Sequence, residues 1–110
     1  MQLEILHVPD CPQVSPLLKL LERVTHLPVT TTMIDSIELA ASRGMTGSPT
    51  LLVEDTDAFP PSEEDRRAGG LSCRLFRDHR GRTSPLPTVD QLRDALTARS
   101  LDPGADLRRS

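Results

Sequence analysis

The sequence predicts a single α/β domain, a four-stranded mixed sheet with helices on both faces in the order β-α-β-α-β-β-α. Three observations predict it. Two apolar or β-branched runs, Leu3 to Val8 and Val29 to Ile34, flank a stretch in which Leu17, Leu18, Leu21 and Val24 recur at helical spacing. A third run, Thr50 to Val53, follows a Ser48-Pro49 pair. Near the end, Thr88 and Gln91 form a capping box for a helix with Val89, Leu92, Ala95 and Leu96 on one face. Two strands joined through a helix should lie parallel with a right-handed crossover. Strands three and four are expected to pair antiparallel, giving the order two-one-three-four.

The first helix has two possible starts, at Cys11 with Pro12 or at Ser15 with Pro16 as its first helical residue. The earlier start would place Pro16 in the second turn and bend the helix. His26-Leu27-Pro28 ends it. Asp35 and Glu38 read as a variant capping pair for a short helix running to about Arg43, closed by Gly44 in the left-handed conformation. Residues 55–70 lose all periodicity and are expected to form a long irregular loop. Leu71-Ser72-Cys73-Arg74-Leu75-Phe76 alternates as the fourth strand, and His79-Arg80-Gly81-Arg82 makes a turn. The expected organisation is one domain over 1–100 and a flexible tail over 101–110, which carries Pro103 and Gly104.

At 110 residues such a domain buries roughly two-thirds of its unfolded surface. A hydrophobic content of 36% with 26% charge suits a globular chain. Phe59 and Phe76 are the only aromatics and the formal net charge is −3, so neither base stacking nor phosphate attraction supports a nucleic-acid partner. No apolar run approaches the roughly 20 residues that span a bilayer, so no membrane partner is expected. The start lacks a basic region and a long apolar segment, which predicts a cytoplasmic location where thiols stay reduced. Cys11, Cys73, His7, His26 and His79 show no zinc-site spacing, and no cofactor is expected.

Chemistry therefore rests on two cysteines. Cys11 lies at or just before a helix N-terminus, whose partial positive charge favours a thiolate, while the neighbouring Asp10 opposes it. The alternative is a small residue packed under a turn. Period-two alternation puts Leu71, Cys73 and Leu75 on one apolar face, so a buried, inert Cys73 is the simpler expectation. An antiparallel fourth strand would also start far from the Cys11 end of the sheet. His7 is a weak candidate base for Cys11. Asp57, Glu63, Glu64 and Asp65 read as a solvated loop face. Arg66, Arg67, Arg74, Arg77, Arg80 and Arg82 are dispersed among acids and give little support to anion binding.

The element order, with Cys11 after strand one and Ser48-Pro49 before strand three, resembles the thioredoxin-like (glutaredoxin-like) fold over roughly residues 2–99. That resemblance implies a reactive thiol at Cys11 facing a cis-proline at Pro49. The second cysteine usual in that family, three positions on, is here Val14. A narrower resemblance is to the C-terminal half of alkylmercury lyase and the short actinobacterial-type proteins grouped with it. It is carried by the separation of Cys11 and Cys73, by Thr46-Gly47-Ser48-Pro49-Thr50-Leu51-Leu52-Val53, and by Leu71-Ser72-Cys73-Arg74-Leu75-Phe76. It implies that Cys11 and Cys73 bind the substrate metal. The family's acid, three positions after the first cysteine, protonates the carbon–mercury bond. Val14 stands there, and Asp10 is the candidate substitute.

Three functions remain open from the sequence. The first is thiolate capture of an organomercurial or another soft electrophile or metal by Cys11 and Cys73, with Asp10 as proton donor and Ser48 and Pro49 shaping the site. The second is single-thiol disulfide exchange at Cys11 with a protein or glutathione thiol. The third is a non-catalytic thioredoxin-like interaction module. The expected partner is a small thiol-reactive molecule or a thiol.

Overall fold

The structure is a computed structural model that describes residues 2–59, 63, 67, 71–78 and 80–100. Its main sheet has four strands in the order β2-β1-β3-β4. β1 (Leu3–His7) pairs parallel with β2 (Val29–Met33) and antiparallel with β3 (Thr50–Val53). β4 is only Thr56–Asp57, antiparallel to β3. A separate ribbon pairs β5 (Phe76–Arg77) with β6 (Thr83–Ser84). Three helices are assigned among the described residues: α1 (Val14–Glu22), α2 (Ile37–Ser42) and α3 (Val89–Ser100).

Alternation along β1 and β3 builds a core on each face of the sheet. On one face Leu3, Ile5, Leu51 and Val53 meet Leu17 and Leu21 of α1 and Leu92 and Leu96 of α3. On the other, Leu6 and Leu52 meet Ile34, Ala40 and Met45. β1 and β3 are thus buried from both sides, which is why their sequences are nearly continuous apolar runs.

Helix boundaries follow local chemistry. α1 begins between the two sequence-based starts, at Val14 with Gln13 as its N-cap. Its first hydrogen bond runs from the Leu17 N–H to the Gln13 carbonyl at 3.0 Å. Pro16 therefore falls among the first-turn residues whose N–H has no helical acceptor, and its missing donor costs the helix nothing. α2 is capped by Ser36 rather than Asp35, the Ser36 hydroxyl accepting the Leu39 N–H at 3.1 Å. Gly44 closes it with φ +70°. At α3 the Thr88–Gln91 box forms in both directions, at 2.8 and 3.0 Å, and Gln91 also donates to the Arg77 carbonyl at 2.7 Å.

The expected fourth strand is a correction. The edge beside β3 is taken by β4, because Glu54 (φ +53°) and Asp55 (φ +65°) form a two-residue turn that returns the chain at once. Residues 71–77 leave the sheet altogether. The irregular loop expected from residue 55 thus starts with an ordered hairpin; most of its remainder, Glu64, Asp65 and Arg66 included, lies outside the described residues, as do His79 and the 101–110 tail. Among the described residues no helix is long and apolar enough to cross a membrane.

Candidate functional site

β1 ends at His7, and the next four residues make a tight turn in which the Cys11 N–H donates to the Val8 carbonyl at 3.3 Å. Pro9 occupies the second position, and Asp10 takes the third with φ +58°. This is the residue pattern of a type II turn, and aspartate is among the few side chains that tolerate the left-handed conformation. Asp10 is exposed and Cys11 half-buried. Cys11 stands three residues ahead of Val14, the first residue of α1. His7 donates from Nδ1 to the same Val8 carbonyl at 2.9 Å.

The Ser48-Pro49 bond is cis. Ser48 and Pro49 are both buried, and the Ser48 hydroxyl accepts the Val8 N–H at 3.0 Å. On its other side Ser48 pairs with Cys73 in a single parallel bridge. The Ser48 N–H donates to the Ser72 carbonyl at 2.8 Å, and the Arg74 N–H donates to the Ser48 carbonyl at 3.0 Å. Val8, Ser48 and Cys73 thus form a row across one end of the molecule, with Cys11 folded back over Val8. An antiparallel strand at 71–76 would have started at the far end. The parallel bridge removes that separation.

No family model, curated protein or solved structure matches this chain. Its own geometry therefore carries the argument.

Cys73 is exposed, which corrects the expectation of a buried thiol. The alternation of 71–76 is real but its burial is reversed, with Arg74 and Phe76 inside. The Arg74 side chain is 2% exposed and forms an ion pair with Asp57 of β4 at 2.6 Å. It also donates to the Phe59 carbonyl, reaches the Thr50 hydroxyl at 3.4 Å, and lies 5.3 Å from the centre of the Phe76 ring. Phe76 in turn meets Phe59 edge-to-face at 5.4 Å. Buried charge is tolerated only when paired and hydrogen-bonded, and Arg74 has both. Nε of Arg74 has no partner among the described residues.

Gly47 makes this approach possible. A Cβ there would lie 2.8 Å from Cβ of Arg74 and 3.1 Å from its Cα. Arg74, Asp57 and Gly47 are therefore the residues that sequence reasoning missed, since they hold the Cys73 segment against Ser48. Asp57 is an anchor rather than part of a solvated acidic face. Only the juxtaposition of a charged residue with Phe76 in an alternating stretch hinted at Arg74, and its partner is 17 residues away.

Among the described residues no group of three or more His, Cys, Asp or Glu is placed to hold a metal ion. A two-thiolate site falls below that number. The expected cleft beside Pro49 with a wall from residues 55–70 falls mostly outside the described residues. A cleft of about 420 Å³, lined by Leu18, Leu21, His26, Leu27 and Val29 among others, opens at the opposite end of β1.

Proposed function

We propose that this chain is a thioredoxin-like cysteine protein, resembling alkylmercury lyase, that captures a soft metal or organometal between Cys11 and Cys73. The row Val8–Ser48–Cys73 carries the reading, because it sets both cysteines at one end of the sheet beside the Ser48-Pro49 turn. The sheet order, with α1 and α3 on one face and α2 on the other, supports the thioredoxin-like assignment. Sulfur donors suit a soft ion, and two thiolates suffice for linear ligation.

For an organomercurial the balanced sequence is short. The Cys11 thiolate displaces the counter-ligand and forms a sulfur–mercury bond. The Cys73 thiolate adds to the same mercury. A proton then goes to the carbon as the carbon–mercury bond breaks, leaving the hydrocarbon free and mercury on two sulfurs. Val14 cannot supply that proton. Asp10, adjacent to Cys11 on the exposed side of the turn, is the donor in this reading, so cleavage is slow and capture is the stronger activity.

Mercuric ion titration tests capture: one ion per chain is expected, retained against a competing thiol. Cys73→Ser should abolish retention while Cys11 still alkylates. Asp10→Asn keeps the left-handed turn and should lower hydrocarbon release from an organomercurial by roughly 100-fold. Retention unchanged in Cys73→Ser would remove Cys73 from the site. Failure of capture together with a mixed disulfide at Cys11 would favour single-thiol exchange.

A further inference from the structure

The main sheet has two edges, and they are built differently. The β4 edge is two residues long, and its Asp57 is engaged by Arg74, with Phe76 packed alongside. Short length, charge and cover are the usual protections against strand addition. The β2 edge has none of them. It runs five residues, Val29-Thr30-Thr31-Thr32-Met33, with no charge, proline or glycine, and among the described residues nothing pairs with its outer side. Large exposed apolar side chains flank it in sequence. Leu27, Met33, Ile37 and Leu39 lie just before it, at its end and in the helix that follows, with Met33 54% and Ile37 69% exposed.

We propose that β2 is a homodimer interface, joining two copies antiparallel into one continuous sheet of eight strands. The hydrogen-bond phase fixes the register. The Ile34 N–H is turned inward, bonding the His7 carbonyl at 2.6 Å. Backbone direction alternates along a strand, so Thr30 and Thr32 face β1 while Val29, Thr31 and Met33 present N–H and C=O outward. Those outward groups match between two identical strands when Thr31 lies on the two-fold axis. Thr31 then exchanges both bonds with Thr31 of the second copy, and Val29 does so with Met33. The same register sets the exposed Met33 beside Val29, which packs at the margin of the core, and opposes threonines elsewhere. Apolar and Thr–Thr cross-strand pairs are favourable, and no like charges meet. A second copy fits this edge because the edge is complementary to itself.

Sedimentation of the intact chain tests the interface. The wild type should show a monomer–dimer equilibrium in the micromolar range. Thr31→Lys, which would oppose two ammonium groups on the axis, should sediment as a folded monomer with unchanged circular dichroism. In a Cys11→Ser/Cys73→Ser background, Thr31→Cys should oxidise to a covalent dimer, since a hydrogen-bonded antiparallel pair sets Cα atoms about 5.5 Å apart, within disulfide range. Thr30→Cys should not, because its counterpart is offset. A wild type that stays monomeric across that range, including one that instead adds a strand from another protein, overturns the proposal. So does cross-linking through Thr30→Cys in preference to Thr31→Cys.

Discussion

Arg74 is the residue that anchors the Cys73 segment beside Ser48. Its guanidinium is enclosed by Asp57, the Phe59 carbonyl and the Phe76 ring, and its backbone N–H holds the Ser48 carbonyl. Removing one partner of a buried pair leaves an uncompensated charge, a loss of about 3–5 kcal/mol. Asp57→Asn should therefore lower the urea midpoint sharply, and Gly47→Ala should cost about 1–3 kcal/mol through overpacking. If Asp57→Asn is as stable as wild type, Arg74 is not the anchor. Sequence inspection could not reach this arrangement. An arginine in an alternating stretch reads as the solvent face, and only the non-local carboxylate of Asp57 reverses that assignment.

Elements were legible where their determinants are local. The capping box of α3, the closure of α2 at Gly44 and the two-sided apolar strands all follow from neighbouring residues. β4 was hidden for the complementary reason. A two-residue hairpin with positive φ at both positions normally announces itself with Asn-Gly or Asp-Gly, whereas this chain uses Glu54-Asp55. Glu54 has a separate role, because its carboxylate accepts the Gln2 N–H at 2.8 Å, a bond that holds its pKa below the ordinary value. Among the described residues Asp55 makes no such hydrogen bond to β1, and its φ of +65° suits glycine better than aspartate, which tolerates that conformation at some cost. Asp55→Gly should stabilise the protein by about 1 kcal/mol, read from thermal or urea unfolding. A loss of stability would show that the Asp55 side chain contributes more than its backbone strain removes.

At the scale of the molecule, the sheet with its two cores and the cysteine end are held by different forces. β1 and β3 are fixed by ladders and by apolar side chains on both faces, and β2 by its five-residue ladder to β1. The Cys73 segment is held to the sheet end by a single bridge and by the buried Arg74 side chain with its ion pair. The sequence conveyed the first part through periodicity and left the second invisible, since a single bridge and one ion pair impose no period. The two parts need not open together, because cooperative units in a native protein differ in their opening free energy. The amide protons of Val8, Ser48 and Arg74 all bond within the row at the cysteine end, to the Ser48 hydroxyl, the Ser72 carbonyl and the Ser48 carbonyl. In native-state hydrogen exchange the Ser48 and Arg74 protons should exchange as a pair, ahead of those in the β1–β3 ladder, and Asp57→Asn should accelerate that pair selectively. Uniform exchange across the row and the ladder would mean that the molecule opens as one unit. Exchanging ahead of the ladder, those two protons serve as built-in reporters, showing whether the thiol end is assembled without chemical labelling of either sulfur.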